Sequence, residues 1–269
     1  MPASPPRRPA DACGGTDSRA RREDPVTPRE HEKPLAVVVF SGGLDSTVLA
    51  THYRATHTLL LLSFDYGQRH RGGELRAARE IAAHLGAEHH VIGMRGLGAL
   101  LTGCSLTDPS HDVPEALNAD AVRAITIPNR NALITDAAAG VAMARGAELV
   151  ALGVHRVPVG DPYPLPDASP RFFAAYRGMI RVAAGEFPVP RVETPFIGMA
   201  KKDIVAHGHA LSAPLGRSWT CYLDGPAQCG RCFACLTRRR AFADAGVPDP
   251  TAYEKESVHD APHSSPAQL

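Results

Sequence analysis

The fold of this chain is decided by the stretch Val37-Val38-Val39-Phe40-Ser41-Gly42-Gly43-Leu44-Asp45-Ser46-Thr47. Its β-branched residues predict a buried strand, and its glycines predict a turn into a helix that opens with hydroxyl residues. A helix start presents unpaired backbone N–H groups and the positive end of the helix dipole, and both favour an anion. Gly42 and Gly43 let the backbone approach a phosphate closely, while Asp45, Ser46 and Thr47 can cap the helix. The stretch therefore predicts a phosphate site between a strand and a helix.

The loop is not the Gly-x-x-x-x-Gly-Lys-Ser/Thr phosphate loop, because no lysine follows its second glycine. It resembles instead the Ser-Gly-Gly-x-Asp-Ser pyrophosphate loop of the N-type ATP pyrophosphatases, which split ATP between the α- and β-phosphates and hand AMP to a substrate oxygen. The resemblance implies an ATP site formed by Phe40, Ser41, Gly42, Gly43, Leu44, Asp45, Ser46 and Thr47.

The composition is typical of a globular protein, with 44% hydrophobic and 21% charged residues among 269. A net charge of +1 argues against a protein that coats nucleic acid, and no apolar run approaches the ~18–20 residues of a membrane span. Segments 1–34 and 253–269 lack an apolar core and are predicted to be disordered; the first also lacks the apolar middle of a secretory signal. We therefore expect a cytoplasmic protein with no nucleic-acid partner and no membrane anchor.

Strand and helix patterns alternate along the middle of the chain. Continuous apolar runs predict strands at 35–40, 59–64, 88–92 and 147–154, and helical spacing predicts helices at 46–54, 73–85 and 131–144. Such alternation predicts an α/β fold with a doubly wound parallel sheet, whose ligand lies beyond the carboxyl ends of the strands. The loop resemblance implies the adenine-nucleotide alpha-hydrolase-like version of this fold. We expect a pyrophosphatase domain over 35–190 and a C-terminal region over 191–252, with a strand and helices at 202–207 and 236–245.

Four cysteines crowd into fifteen residues of the C-terminal region, in the order Cys221-x7-Cys229-x2-Cys232-x2-Cys235. Two cysteines separated by two residues can bind one ion from a tight turn, and Gly230 permits that turn. Four sulfurs leave no open coordination position, so the pattern predicts a structural zinc site. An iron–sulfur cluster is the main alternative that this spacing allows.

Three further motifs are present besides the loop and the cysteines: Phe64-Asp65-Tyr66-Gly67-Gln68-Arg69-His70, Thr126-Ile127-Pro128-Asn129-Arg130-Asn131 and Met199-Ala200-Lys201-Lys202-Asp203-Ile204. The combination resembles the 7-cyano-7-deazaguanine synthase family of the queuosine pathway, known as QueC, from about residue 35 to 242. The resemblance implies an ATP-dependent carbon–nitrogen ligase. The family turns 7-carboxy-7-deazaguanine and ammonia into the 7-nitrile through an acyl adenylate, an amide and a second adenylation, and the family also suggests a homodimer.

The same resemblance implies roles for individual residues. Phe64 would line the adenine pocket, and Mg²⁺ would bridge the phosphates, where charge builds during transfer. No covalent nucleophile is required, so catalysis should rest on positioning and charge stabilisation. The cations expected to neutralise the phosphates or the substrate carboxylate are Arg69, His70, Arg130 and Lys201.

One segment departs from the family pattern. After the strand that ends near Val154, the family usually carries an Asp, an aromatic residue and Ser-Gly-Tyr-Pro-Asp-Cys-Arg, whereas this chain continues with a proline-rich stretch over 155–171. Asp161, Tyr163 and Asp167 are the candidates for binding a guanine-like base at altered spacing. Two other functions stay open: adenylation of a different deazapurine or carboxylate, and an RNA-binding protein with a zinc ribbon. The near-neutral charge argues against the latter.

Overall fold

The computed structural model describes residues 33–157 and 164–254. Residues 1–32 and 255–269, which make up most of the two termini predicted to be disordered, lie outside this description. The predicted substrate residues Asp161 and Tyr163 also lie outside the described residues.

Within the described residues, five parallel strands form one sheet in the order β3-β2-β1-β4-β5. The strands are β1 (Leu35–Val39), β2 (Thr58–Asp65), β3 (Glu88–Gly93), β4 (Leu149–Ala151) and β5 (Arg191–Glu193). The chain adds β2 and β3 on one side of β1 and then crosses to add β4 on the other side. This reversal makes the carboxyl ends of β1 and β4 the switch point where ligands bind in such sheets.

Helices connect the strands and cover both faces of the sheet. They are α1 (Leu44–Arg54), α2 (Arg71–Leu85), α3 (Arg95–Gly98), α4 (Ala119–Ala124), α5 (Arg130–Arg145), α6 (Pro170–Ala183), α7 (Lys201–Ala210) and α8 (Phe233–Ala245). Because side chains alternate along a strand, Val38 of β1 packs into a core with α1, α2, α7 and α8, while Val37 packs into a second core with α5 and α6. None of these helices has the length and hydropathy that a membrane span requires.

The predicted α/β fold with a doubly wound parallel sheet is confirmed. The strand predicted over 147–154 is shorter, spanning Leu149–Ala151, and the helix predicted from 236 begins at Phe233, inside the cysteine cluster. The helix α6 was not predicted, although Pro170 follows Ser169, whose hydroxyl accepts the Phe172 N–H at 3.2 Å. This is an ordinary helix start within the segment interpreted as a substrate loop.

The strand β5 pairs with β4 in the same sheet. The predicted boundary between residues 190 and 191 therefore separates two paired strands of one sheet. The C-terminal region contributes α7 to the core around Val38 and Val192 of β5 to the core around Val37.

The glycine turn after β1 packs directly against α2. Gly42 has a φ of +78°, and a Cβ there would lie 2.6 Å from the Ala78 nitrogen and 2.7 Å from the Glu74 carbonyl oxygen. Its own carbonyl accepts the Trp219 N–H at 2.9 Å. The turn is thus held between α2 and the segment that precedes the cysteine cluster.

We predict that Gly42→Ala lowers the free energy of unfolding by roughly 2–4 kcal/mol, because left-handed strain and overpacking add. Gly86→Ala is the matched control, since Gly86 has a φ of +66° with nothing within 4 Å of the added Cβ. The control should lose only about 1–2 kcal/mol from the strain alone. Urea unfolding of the two variants measures the difference, and equal losses would contradict the packing argument.

Candidate active site

A cavity of about 340 Å³ opens at the carboxyl ends of β1, β2 and β4. Its size is in the range of small-molecule sites. It collects residues from four separate predicted segments of the sequence: Phe40, Ser41, Gly43, Leu44, Asp45, Ser46, Phe64, His70, Arg130 and Lys201. Most of the predicted site residues are therefore brought together around one space.

The start of α1 faces this cavity without a side-chain cap. Gly43 occupies the N-cap position and its own N–H donates to the Ser41 hydroxyl at 3.1 Å, but among the described residues no side chain caps the N–H groups of the first turn. The hydroxyls of Ser41 and Ser46 lie 3.3 Å apart at the same place. Unpaired N–H groups, the helix dipole and two hydroxyls together suit a polyanion such as a pyrophosphate.

Asp45 lies at the centre of a group of charged side chains. Its Oδ2 accepts a hydrogen bond from Lys201 Nζ at 2.9 Å and lies 3.5 Å from His155 Nε2. Burial would raise the pKa of the Asp45 carboxyl, but Lys201 and His155 outweigh it and hold that pKa well below its usual range. The other oxygen, Oδ1, is buried and has no hydrogen-bond partner among the described residues. A buried, charged oxygen without a partner is a position that a cation can occupy.

Arg130 is the cation on the opposite wall. It lies at the start of α5, and its guanidinium donates to the Tyr66 hydroxyl at a distance of 3.4 Å. No carboxylate of the described residues forms an ion pair with it. Because a guanidinium is always charged, this side chain is available to an anionic ligand.

A buried histidine, His70, pairs with the partly buried Glu74 at the start of α2. The distance from His70 Nε2 to Glu74 Oε1 is 3.5 Å, and both side chains line the cavity. His70 was predicted to neutralise an anion, but its positive charge, when present, already faces a carboxylate. Sequence reasoning missed Glu74, which carries no motif of its own.

Aromatic side chains supply much of the remaining wall. Phe40, Phe64, Tyr66 and Tyr222 all line the cavity, with Phe64 near the end of β2 and Tyr222 from a distant part of the chain. The Tyr222 ring lies 5.4 Å from the His70 ring. Tyr222 directly follows Cys221, so the cysteine segment contributes to the cavity, which the sequence analysis did not foresee.

Four of the predicted residues do not line the cavity. Gly42 packs on α2, and Thr47 is fully buried with its hydroxyl donating to the Gly43 carbonyl at 2.8 Å. The Arg69 guanidinium donates to the carbonyls of Asp108 and His111, at 3.1 and 2.9 Å. The Asp167 carboxylate accepts the backbone N–H of Asn131 at 2.9 Å and so caps α5. These internal contacts leave little of the Thr47, Arg69 and Asp167 side chains for a ligand.

The four clustered cysteines are buried, and their Sγ atoms all lie within 4.8 Å of one another. The Sγ–Sγ distance is 4.0 Å between Cys221 and Cys232 and 3.9 Å between Cys229 and Cys235. Backbone N–H groups point at two of these sulfurs, with Cys229 N and Cys232 N at 3.4 and 3.3 Å. Gly230 has the positive φ, +78°, that the predicted turn requires. The cluster is thus arranged as a set of four thiolate ligands for one ion.

A fully buried arginine joins the cysteine segment to the cavity wall. Arg238, on α8, donates to the Ser218 hydroxyl at 2.8 Å, the Thr220 hydroxyl at 3.0 Å and the Leu215 carbonyl at 2.9 Å. Its guanidinium also lies over the Phe242 ring. Thr220 lines the cavity, so Arg238 positions the wall from behind. Arg238 is the first of three consecutive arginines, and nothing in that run of sequence distinguishes the buried one from its two exposed neighbours.

We predict that Lys201→Met lowers the free energy of unfolding by about 1–3 kcal/mol near neutral pH, because it leaves the Asp45 carboxylate with one partner fewer. A lowered folded-state pKa stabilises the protein above the unfolded carboxyl pKa of about 3.9, and this stabilisation is lost as the pH falls. The difference in the free energy of unfolding between wild type and Lys201→Met should therefore become smaller below about pH 4. Lys202→Met, at an exposed neighbour, is the control. Urea unfolding over a pH series measures both, and a gap that widens in acid would contradict the pairing.

Comparisons with known proteins agree with one another. The family model described as "Queuosine biosynthesis protein QueC" matches residues 35–246. A 7-cyano-7-deazaguanine synthase of Paracoccus denitrificans is 46% identical over 220 residues, which is 81% of this chain and 92% of that protein. The proteins of the same name from Allorhizobium ampelinum and Rhizobium meliloti are 45% and 44% identical, over 81% of this chain and 92% and 91% of their own lengths.

Among solved structures, an NH3-dependent NAD synthetase from Campylobacter jejuni is 16% identical with a TM-score of 0.38, over 69% of this chain and 67% of that one. The match to the family model is much stronger evidence, because it covers the sheet, the uncapped helix start and the cysteine cluster. The named members of that family are 44–46% identical to this chain. This chain belongs to the QueC family.

Proposed function

We propose that this chain is an ATP-dependent ligase that converts 7-carboxy-7-deazaguanine and ammonia into 7-cyano-7-deazaguanine. The support is the QueC match together with relatives named for this product at 44–46% identity. One observation of the structure supports this chemistry: the uncapped start of α1, the Asp45 group and Arg130, which has no ion-pair partner among the described residues, surround one cavity. Adenylation of another acceptor is not favoured by these relatives, and the altered 155–171 segment was its only support.

The charged groups that line the cavity would determine how ATP binds. The pyrophosphate lies on the open N–H groups of α1 and the hydroxyls of Ser41 and Ser46, and the adenine lies against Phe64. Asp45 Oδ1, a buried oxygen with no hydrogen-bond partner in the described part of the chain, is suited to bind magnesium. Mg²⁺, when bound, offsets negative charge on the phosphates. Lys201 keeps the Asp45 carboxylate charged and adds a second cation at the same end of the cavity.

Arg130 neutralises the α-phosphate or the carboxylate that attacks it. The two anions repel each other, and a fixed guanidinium between them lowers the cost of bringing them together. Asp167 caps α5 through the Asn131 N–H, and so fixes the helix that carries Arg130. The acceptor base lies toward Tyr66 and Tyr222, whose rings offer stacking faces. Asp161 and Tyr163 remain candidates for binding this base.

The cysteine cluster holds zinc with a structural role. A zinc–sulfur distance of about 2.3 Å gives tetrahedral S–S distances near 3.8 Å, close to the observed 3.9 and 4.0 Å. An iron–sulfur cluster places several atoms between the thiolates and needs wider separations than the 4.8 Å limit found here. Bound zinc would supply no chemistry to the cavity. It would fix the segment that carries Trp219, Thr220 and Tyr222.

The proposed location, oligomeric state and partners rest on the family and on the composition. The protein works on small molecules in the cytoplasm, as a homodimer, without a nucleic-acid partner. The net charge of +1 supports the last point, since phosphate backbones are bound by clustered positive charge.

We predict that the purified protein, given ATP, Mg²⁺, ammonium and 7-carboxy-7-deazaguanine, forms a product of nitrile mass with two AMP for each nitrile. The chemical reason is that each of the two carboxylate oxygens leaves with one AMP. The corresponding 7-amide should be converted with one AMP, without the first adenylation. Mass spectrometry with AMP quantification measures both ratios. Turnover that stops at the amide, or AMP formation that depends on added RNA, would overturn the proposed function.

We predict that Cys235→Ser removes one bound zinc per chain and lowers the melting temperature by about 10 °C. Structural zinc contributes several kcal/mol to folding, and each kcal/mol shifts the midpoint of a chain of this size by about 2–4 °C. The single tryptophan, Trp219, reports the change, because its indole N–H donates to the Cys221 carbonyl. Cys104→Ser, at a buried cysteine outside the cluster, is the control. Metal analysis showing iron, or zinc retained in the first variant, would refute the assignment.

A further inference from the structure

The pair formed by buried His70 and partly buried Glu74 has no role in the reaction scheme proposed above. Only 4% of His70 is exposed, and its Nε2 lies 3.5 Å from Glu74 Oε1. The other carboxylate oxygen, Oε2, accepts a hydrogen bond from the Gln68 amide at 3.1 Å. Both oxygens of Glu74 are thus engaged, and its orientation is fixed from two sides.

The second ring nitrogen of His70 is different. Nδ1 is buried and has no hydrogen-bond partner among the described residues. Because Nε2 faces a carboxylate, the neutral ring carries its proton on Nε2, and Nδ1 keeps a free lone pair. A buried lone pair on a cavity-lining side chain is an unused proton acceptor.

The groups around the pair keep Glu74 ionised. Burial raises the pKa of Glu74, but His70, the Gln68 hydrogen bond and the more distant Arg130 outweigh it, so the pKa lies below its ordinary value. The other titratable groups that face the pair are Tyr66 and Tyr222. Burial raises the pKa of both phenols, so they stay neutral. A fixed carboxylate behind an imidazole orients the ring and stabilises the imidazolium once it forms.

The reaction needs such an acceptor repeatedly. Ammonia enters with three protons on its nitrogen, and the nitrile leaves with none. The first adenylation moves no proton, because the attacking group is already a carboxylate. Amide formation and the final expulsion of AMP each require a base near the nitrogen, and positioned bases contribute about 10²–10⁴-fold to such steps.

We propose that His70 Nδ1 is the proton acceptor for the reacting nitrogen, oriented by Glu74 as a positioning residue. The inference rests on the proposed function and assigns a step within it. In amide formation, the ammonia lone pair forms the C–N bond, the C–O bond to AMP breaks with its electron pair, and the surplus N–H proton passes to Nδ1. In nitrile formation, the amide oxygen bonds to the α-phosphorus and pyrophosphate leaves. Loss of the two remaining N–H protons to the same atom then expels AMP as the triple bond forms. His70 releases each proton to solvent before it accepts the next.

The test separates the proton-dependent steps from the first adenylation. Variants His70→Asn and Glu74→Gln are compared with His90→Gln, which alters a histidine that lies 2.8 Å from Glu88 but is exposed on β3. Pyrophosphate exchange into ATP with 7-carboxy-7-deazaguanine, without ammonium, reports the first adenylation. Amide and nitrile formation at constant free ammonia report the later steps, and hydroxylamine traps the adenylate as a hydroxamate.

We expect His70→Asn to exchange pyrophosphate within about threefold of wild type while amide and nitrile formation falls by about 10²–10⁴-fold. Glu74→Gln should shift the acid limb of the ammonia-dependent rate to lower pH, because the imidazolium loses its counter-charge. A purely structural role would not produce that shift. His90→Gln should match wild type in every assay.

Two results would overturn the inference. One is unchanged amide and nitrile formation in His70→Asn, and the other is equal loss of pyrophosphate exchange, which would make His70 part of the ATP site or of the fold. Absence of exchange in the wild-type protein is a separate outcome, since it would remove the proposed function and this inference together.

Discussion

The site depends on one packing constraint, the confinement of Gly42 between the backbone of α2 and the Trp219 N–H. Any Cβ at this position would collide with backbone atoms, which cannot move aside as a flexible side chain can. The confinement sets the path by which the chain leaves β1 and enters α1. As a consequence α1 begins uncapped at the cavity, with its dipole and N–H groups directed at the ligand space. The phosphate site is therefore a result of backbone packing more than of side-chain chemistry.

The charges of the cavity are divided between paired and unpaired groups. Asp45 is paired with Lys201 and His155 through one oxygen only, and Glu74 is paired with His70. Arg130 has no ion-pair partner among the described residues, and the Asp45 Oδ1 and His70 Nδ1 atoms have no hydrogen-bond partner there. Unsatisfied polar groups are costly in a folded protein, so their concentration around one cavity indicates a site that ligands complete. The paired groups hold the unpaired ones in position.

The cysteine cluster connects to this site through the backbone around residues 218–222. Arg238 binds Ser218 and Thr220 from behind, while Trp219 reaches the glycine turn and Tyr222 reaches His70. A metal held by the four sulfurs would thus fix the cavity wall at a distance from the chemistry. In this arrangement the segment after the sheet is a structural part of the active site, because it supplies Thr220 and Tyr222 to the cavity.

By itself, the sequence determined the parallel α/β sheet, the loop at the start of α1 and the four-cysteine cluster, because each is encoded in a short contiguous pattern of periodicity or spacing. The loop and the family resemblance also predicted Arg130, Lys201 and residues 40–46 as site residues, and all of these except Gly42 line the cavity. Only the tertiary structure decided that Arg69 and Asp167 fasten loops, and that Glu74, Tyr222 and Arg238 belong to the site or its support. These roles arise from contacts between segments distant in sequence, such as Arg69 with His111 and Tyr222 with His70, and no local pattern encodes which side chains will meet.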